Sequence, residues 1–332
     1  MPFVRYRDIA FRDATMATIA RARDICEDYA AQGYNLTLRQ LYYQFVARGW
    51  MPNRQTEYDR LGSIVNDARL AGLLDWNWIT DRTRNPKTRS TWDHPRDIIE
   101  ASARQFHLDY WADQPVHVEV WVEKEALAGV VEDACWPLSV TTLACRGYMS
   151  QSEQWTASRR FTRLIKDDKR VVVLHLGDHD PSGMDMSRDN AERLRDFIQA
   201  DLASAFGIDF DPEDDPDYRW ELLGDLHRDH PTGHPPFQLK RIALNWDQIQ
   251  QYSPPPNPAK MTDSRASGYV ERFGRVSWEL DALPPNVLAA LITDEVEALR
   301  DDDIDLEVRQ REVTYRQRVA DLLELHGDVL DS

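Results

Sequence analysis

Three acidic residues stand where carboxylates could bind a metal ion. Glu123 follows the alternating segment VHVEVWV (116–122), and Asp178 and Asp180 follow the apolar run VVVLHLG (171–177). Both segments predict strands, and in an open parallel sheet ligands bind beyond the carboxyl ends of the strands. Carboxylate oxygens suit Mg²⁺, which can stabilise the attacking and leaving oxygens in phosphoryl transfer. The spacing therefore predicts a site for Mg²⁺, or for Mn²⁺ in its place, that acts on a phosphodiester.

A tyrosine pair lies in the segment TLRQLYYQFV (37–46), which predicts a helix. Helical spacing gathers the apolar residues of this segment, Tyr42 among them, on one face that should be buried. Tyr43 points away from that face, and Arg39 lies one turn before it on the same side. A tyrosine hydroxyl, with a pKa of about 10, is a poor nucleophile at neutral pH, but a nearby cation can favour the phenolate or hold the phosphate. We expect Tyr43 to be a nucleophile and Tyr42 a core residue; the alternative is that Tyr43 is a partly exposed aromatic residue that contacts DNA without chemistry.

Other residues that could bind metals carry weaker patterns. His227, His230 and His234 are spaced as zinc ligands in a loop. No cysteine or obvious fourth ligand accompanies them, so a polar loop is the preferred interpretation. His175 should be a core residue of its strand, and His179 could face either the acidic site or solvent. The three cysteines are far apart in the sequence and predict reduced thiols.

The elements that must position these residues divide the chain into two parts. Helices over about 14–31, from Thr37, and over about 55–72, followed by a strand pair within 75–84, predict a winged-helix DNA-binding domain over residues 1–85. We interpret residues 86–112 as a connector. Residues 113–332 alternate strands with helices, which predicts an α/β fold with a mainly parallel sheet flanked by helices. Beyond the two strands named above, this part predicts a strand at 138–144 and helices at about 153–167, 186–203, 284–300 and 305–326.

Charge is distributed unevenly along the chain. The net charge of −17 argues against a general nucleic-acid-binding protein, but residues 1–170 carry 24 Lys and Arg against 23 Asp and Glu, so all of the excess acid lies after residue 170. The basic segments 82–89 and 159–170 are where a polyanion would approach, unless they form an ordinary solvated face. The sequence contains neither a signal peptide nor the run of about 20 apolar residues that a membrane span needs. We therefore expect a cytoplasmic, nucleoid-associated protein with no membrane partner.

Two of these motifs together resemble a known family. A Glu-Lys pair at the end of an alternating strand, followed by Gly-Asp-His-Asp-Pro-Ser-Gly (177–183), resembles the Toprim domain. The form of this motif is most similar to that of the topoisomerase VI A subunit and its relative that makes meiotic double-strand breaks. The loop Arg146-Gly147-Tyr148 is similar as well, and the segment 37–43 resembles the one that holds the DNA-attacking tyrosine in that family, where the second tyrosine attacks. More loosely, 260–265 and the WELDAL segment (278–283) look like the later Toprim region, and we assign them no catalytic role.

The resemblance implies roles for several residues. Glu123, Asp178 and Asp180 would be the metal ligands, and Tyr43 with Arg39 the catalytic pair. The resemblance also implies a set of DNA-binding residues: Arg69, Arg82, Arg84, Lys124 and Arg146.

The activity implied is Mg²⁺-dependent double-strand cleavage of DNA by a type IIB topoisomerase-like isomerase, through a 5′-phosphotyrosyl intermediate. The enzyme would be a homodimer in which Tyr43 of one chain works opposite the metal site of the other, with any ATPase B-type subunit supplied as a separate chain. Two other functions stay open. One is a Toprim nuclease that uses water as the nucleophile, and the other is a non-catalytic winged-helix DNA-binding protein.

Overall fold

The computed structural model describes residues 3–80, 89–211, 235–258 and 265–330, together with 215, 218, 219, 221 and 223. Several predictions lie outside the described residues. They are those for Arg82 and Arg84, for the three loop histidines His227, His230 and His234, and for most of the segment 260–265.

Three helices form the N-terminal module: α1 (Asp13–Ala31), α2 (Leu38–Ala47) and α3 (Gln55–Leu70). Their apolar faces enclose a core of their own, centred on Ile25, Leu41 and Leu61. Thr37 caps α2 as the sequence predicts, because its hydroxyl accepts from the Gln40 backbone while the Gln40 side chain accepts from the Thr37 backbone.

The predicted wing is described only up to residue 80. There a single parallel bridge joins Leu36 to Ile79, in place of a strand pair. The described residues therefore contain the three helices predicted for the N-terminal domain, and its winged-helix fold stays a prediction.

The predicted connector, residues 86–112, contains a helix that the sequence did not predict. α4 (Pro95–Gln105) begins at a proline, a residue that suits the first helical position because its missing N–H needs no partner there. The Asp97 side chain accepts from the backbone N–H of His94 at 3.0 Å, which closes the first turn. α4 packs beside the last helix of the chain.

A four-stranded parallel sheet lies at the centre of the second domain, in the order β2-β1-β3-β4. The prediction of a mainly parallel sheet is thus confirmed. The strands are β1 (Val116–Val122), β2 (Thr141–Ala144), β3 (Arg170–Leu176) and β4 (Phe237–Ala243). β2 is shorter than predicted because residues 136–138 form a 3₁₀ turn. β4 was not predicted, and it matters below because it carries Arg241.

Helices cover both faces of the sheet, as expected for parallel strands with apolar residues on both sides. One face packs against α5 (Ala128–Cys135) and α10 (Pro285–Glu297), and the other against α6 (Gln151–Lys166) and α7 (Pro181–Phe206). The remaining elements complete the domain: α8 (Trp246–Tyr252), β5 (Asn257–Pro258), α9 (Ala266–Phe273), β6 (Val276–Ser277) and α11 (Asp302–Leu330). No helix among the described residues is long and apolar enough to cross a membrane.

Candidate functional site

The strand ends bring Glu123 and Asp178 together, as the sequence predicts. β1 and β3 are neighbours, with Val122 paired to Leu176, and the backbone N–H of Glu123 donates to the Leu176 carbonyl at 2.8 Å. One residue further on, the Glu123 carboxylate accepts a hydrogen bond of 2.9 Å from the backbone N–H of Asp178. Parallel strand polarity and the register of this pair therefore fix the acidic site.

Two glycines let the loop after β3 approach the Glu123 carboxylate closely. A Cβ on Gly177 would lie 2.8 Å from Glu123 Oε2, and one on Gly183 would lie 3.0 Å from the same oxygen and collide with the Asp178 carbonyl. Gly183 therefore excludes a side chain, because the collision is with backbone, whereas a side chain at Gly177 would displace the Glu123 carboxylate. Close packing against Glu123 and Asp178 therefore accounts for the two glycines of the GDHDPSG motif.

Asp180 caps the helix that follows. Its Oδ1 accepts from the backbone N–H of Gly183 at 2.6 Å, with Pro181 at the first helical position of α7. α7 therefore begins at Pro181, earlier than the predicted residue 186. Since a carboxylate at a helix N-terminus is stabilised by the unpaired backbone donors there, Asp180 is held facing the site.

Lys124 lies inside the acidic site, surrounded by carboxylates from two regions of the sequence. Its Nζ is 2.9 Å from Asp178 Oδ2, 2.9 Å from Glu279 Oε2 and 2.7 Å from Asp281 Oδ2. The other oxygen of Asp178 accepts from the backbone N–H of Leu280 at 2.8 Å. Glu279 and Asp281 belong to the WELDAL segment, to which the sequence assigned no role. Their spacing alone gives no sign that they join Lys124.

Arg241 on β4 supports the acidic loop from behind. Its guanidinium donates to the backbone carbonyls of Gly177 at 2.7 Å, Asp178 at 2.6 Å and Gly183 at 3.0 Å. Burial lowers the pKa of Arg241 to about 10, and the nearby carboxylates oppose that shift. Sequence reasoning missed this residue because it did not predict β4.

The site holds more negative charge than its surroundings compensate. Burial raises the pKa of Glu123, and the charge of Asp180 raises it further. Burial likewise raises the pKa of Asp178, although Lys124 opposes the shift. Burial lowers the pKa of Lys124, but the surrounding carboxylates outweigh burial and raise it. The arrangement therefore favours a cation at this position.

The carboxylates of the site are the type of ligand that Mg²⁺ prefers, but their positions do not form a complete metal site. Glu123, Asp178 and Asp180 all line one cleft of about 650 Å³, and oxygen ligands suit Mg²⁺, which needs only one or two carboxylates besides waters and substrate phosphate. Within the described part of the chain, however, no three His, Cys, Asp or Glu residues are placed to hold a metal ion. Both oxygens of Asp178 already have partners, the backbone N–H of Leu280 and Lys124.

Tyr42 and Tyr43 are both buried, but in different surroundings. Tyr42 belongs to the core of the N-terminal module, as predicted, and its hydroxyl donates to the Arg54 carbonyl at 3.0 Å. Tyr43, only 2% exposed, lies outside that core and is covered by the α/β domain. The side chain of Asn257 donates to its hydroxyl at 3.0 Å. The expectation that Tyr43 points away from the apolar stripe is correct, but the opposite face of α2 is buried as well.

Arg39 reaches the acidic cleft from α2. Its Nη1 is 3.2 Å from Glu279 Oε2, and its guanidinium lies 5.0 Å from the centre of the Tyr58 ring. Burial raises the pKa of Tyr43 to about 12, while Asn257 and Arg39 act in the opposite direction. The structure thus brings the predicted tyrosine and arginine to the edge of the predicted metal site within one chain.

The residues expected to bind DNA are placed differently from one another. Arg146 lines the cleft and pairs with Glu125 at 2.6 Å, and Lys124 lies within the acidic site. Arg69 does not line the cleft. It donates to the carbonyls of Trp76 at 2.5 Å and Ile79 at 2.8 Å, so its guanidinium is occupied in anchoring the segment after α3.

The histidines near the site are structural. His175 is fully buried in β3, as predicted. His179 faces neither the acidic site nor solvent. Its ring lies among Tyr269, Phe273 and other aromatic residues, with Nδ1 at 2.8 Å from the Tyr269 hydroxyl. Burial lowers the pKa of His179 to about 4, so the ring is neutral at physiological pH. Its backbone forms a bridge with Trp278, which ties the loop after β3 to the WELDAL segment.

Comparison with known proteins does not extend these observations. No protein-family model matches the chain, and a search of curated proteins finds no match to it.

Proposed function

We propose that this chain is a metal-dependent DNA strand-breaking enzyme of the topoisomerase VI A-subunit type, with Tyr43 as the nucleophile. The Tyr43 oxygen bonds to a backbone phosphorus as the bond from phosphorus to the 3′ oxygen breaks; the phenol proton is lost to solvent, and the displaced 3′ oxygen takes up a proton from solvent. The products are a 5′-phosphotyrosyl end and a free 3′ hydroxyl. The observation that carries this proposal is the meeting of Tyr43 and Arg39 with the acidic cleft, through contacts with Asn257 and Glu279.

The chain's own residues divide the work of this reaction. Arg39 favours the phenolate and holds the phosphate that Tyr43 attacks. Because burial raises the pKa of Tyr43 to about 12, attack requires Tyr43 to leave its covered position or to gain a closer cation. Glu123, Asp178 and Asp180 would hold Mg²⁺. When bound, Mg²⁺ supplies charge stabilisation for the displaced 3′ oxygen.

We propose further that the three N-terminal helices are the core of a winged-helix module, with the wing in the segment 75–84. Two such enzymes would form a homodimer in which Tyr43 of one chain acts at the acidic cleft of the other. In the structure Tyr43 lies beside the cleft of its own chain, so action within one chain is the alternative. Mixing a Tyr43→Phe protein with an Asp180→Asn protein separates the two, because cleavage is restored only if the tyrosine and the carboxylate can come from different chains.

A second candidate function is a Toprim nuclease in which water replaces the tyrosine. The observation that favours it is the burial of Tyr43, whose hydroxyl is both covered and shifted to a higher pKa. The acidic cleft, by contrast, is open to solvent and substrate.

The decisive experiment is cleavage of supercoiled plasmid in Mg²⁺, stopped with detergent and analysed with and without protease. Linear DNA whose mobility changes only after protease digestion, and which disappears with Tyr43→Phe, supports the covalent mechanism. Protein-free nicked or linear DNA, formed equally by Tyr43→Phe, supports the water-using nuclease. Retained DNA binding without cleavage, in the presence of an added ATPase B-type subunit, supports a non-catalytic DNA-binding protein.

A further inference from the structure

Glu279 occupies a pocket of hydrogen-bond donors between the two domains. Its Oε2 lies 3.2 Å from Arg39 Nη1 and 2.9 Å from Lys124 Nζ, and its Oε1 accepts from the Asn257 side chain at 3.3 Å. The same Asn257 amide donates to the Tyr43 hydroxyl at 3.0 Å. One anionic group thus contacts two cations and an amide that also holds the candidate nucleophile.

These donors are the kind that bind a phosphate group. Arg and Lys side chains form strong charge-assisted hydrogen bonds with phosphate oxygens, and side-chain amides commonly add to them at nucleic-acid backbones. Reaction at phosphorus requires the attacking oxygen to lie within about 3.5 Å of it, so a phosphate poised for attack must touch the tyrosine hydroxyl. In the structure the Glu279 carboxylate and that hydroxyl share the Asn257 amide as a donor.

Glu279 also lies at the boundary between two cavities. The acidic cleft of about 650 Å³ and a neighbouring pocket of about 410 Å³ share Arg39, Asn257 and Glu279 in their linings. The smaller pocket is lined in addition by Tyr43 and Arg54 of the N-terminal module. Movement of Glu279 away from Arg39 would join the two cavities into one groove that passes the tyrosine.

We propose that Glu279 takes the place of a DNA backbone phosphate beside Tyr43, and that DNA binds by displacing Glu279 from Arg39 and Lys124. This inference rests on the proposed function for the role of Tyr43. The acid is a built-in competitor: it pairs with both cations in the free protein, links α2 to the α/β domain through Arg39 and must yield to a phosphodiester before the tyrosine can react.

The test is binding of a fluorescent DNA duplex of about two helical turns, measured in EDTA so that no cleavage takes place. Glu279→Gln removes the competing charge and leaves the side-chain volume nearly unchanged. We expect about tenfold tighter binding at low salt, because Arg39 is released for phosphate and the cleft loses one negative charge, and a salt dependence steeper by about one ion. Arg39→Gln in the Glu279→Gln background should abolish most of the gain.

Glu295→Gln is the matched control. Its removal changes the net charge equally, but the ion pair of Glu295 is with Lys240, and neither residue lines the two cavities. We expect this variant to bind DNA within about twofold of the original protein, since only the general field changes. Equal tightening by Glu295→Gln and Glu279→Gln would overturn the proposal, because it would show a field effect without a specific competitor.

Unchanged DNA binding by Glu279→Gln would also overturn the proposal. If cleavage by that variant were slower as well, Glu279 would act as a general base instead. Thermal unfolding checks that each variant is folded. If Glu279→Gln fails to fold, Glu279→Asp provides the measurement, because its shorter carboxylate withdraws from both cations and should give an intermediate gain. Binding and cleavage together separate a failure of this inference from a failure of the proposed function. Tighter DNA binding by Glu279→Gln without any tyrosyl–DNA adduct supports the phosphate site but not the tyrosine mechanism. A tyrosyl–DNA adduct without tighter binding supports the tyrosine mechanism and refutes the role of Glu279 as a competitor.

Discussion

Glu119 offers a quantitative test of how the basic helix α6 is held. Glu119 is almost fully buried in the middle of β1, and it accepts hydrogen bonds of 2.8 and 2.9 Å from Arg160 of α6 and one of 2.9 Å from Trp121. Burial alone would raise the pKa of this carboxyl group, but hydrogen bonds from His117 and Arg160 outweigh it and lower the pKa to about 2. Arg160 therefore anchors α6 to the sheet and is not available as a DNA-binding residue.

The size of the effect follows from the two pKa values. The difference between the ordinary value of 4.5 and about 2 corresponds to about 3 kcal/mol, since each pH unit is worth about 1.4 kcal/mol. Arg160 is 42% exposed, so solvent screening reduces our expectation to about 2 kcal/mol. Because the folded-state pKa is lowered, this stability is fully present above pH 4.5 and is lost as the pH falls from about 4.5 to about 2.

Urea unfolding of the original protein and of Glu119→Gln measures this contribution. The difference in unfolding free energy should be about 2 kcal/mol at neutral pH and should shrink steadily as the pH falls below about 4.5. Glu132→Gln serves as the control, because Glu132 is exposed on α5 and its removal should change the stability little at any pH. A Glu119→Gln difference that is the same at neutral pH and at the lowest pH where the protein still folds would refute the assignment of a lowered pKa.

Further predictions concern the acidic loop, the tyrosine and the cysteines. Gly183→Ala should destabilise the protein by about 2 kcal/mol or more in thermal or urea unfolding, because the new Cβ would collide with the Asp178 carbonyl; Gly268→Ala, with open space at the same atom, should be neutral or slightly stabilising. Tyr43→Phe should cost at most about 1 kcal/mol in the same assay, because the Asn257 amide keeps a second acceptor in Glu279; a larger loss would mean that the hydroxyl is chiefly structural. The cysteines should not react with a thiol reagent in the native protein and should all react after unfolding, since burial raises the pKa of each thiol to about 12. Rapid labelling of the folded chain would contradict the buried positions of these residues: Cys26, Cys135 and Cys145.

The features that could be predicted are those with a local signal. The alternation in β1 and the apolar run of β3 predict neighbouring strands, and strand polarity then places Glu123 and the Asp178 loop at one edge of the sheet. The capping box at Thr37 marks the start of α2 in the same way. The helix α4 and the strand β4 were missed because their apolar residues are few and their stability comes from packing against distant elements.

The sequence by itself determined the parallel α/β class, the acidic residues at the strand ends and the apolar stripe of α2. It could do so because hydrophobic periodicity records which face of an element is buried. Only the tertiary structure decided what covers the other faces. Tyr43 is covered through Asn257, which is 214 residues away, and Lys124 is surrounded by acids more than 150 residues further along the chain. Periodicity does not encode partners at such separations, since they depend on how whole elements pack, and that packing sets the charge balance of the site.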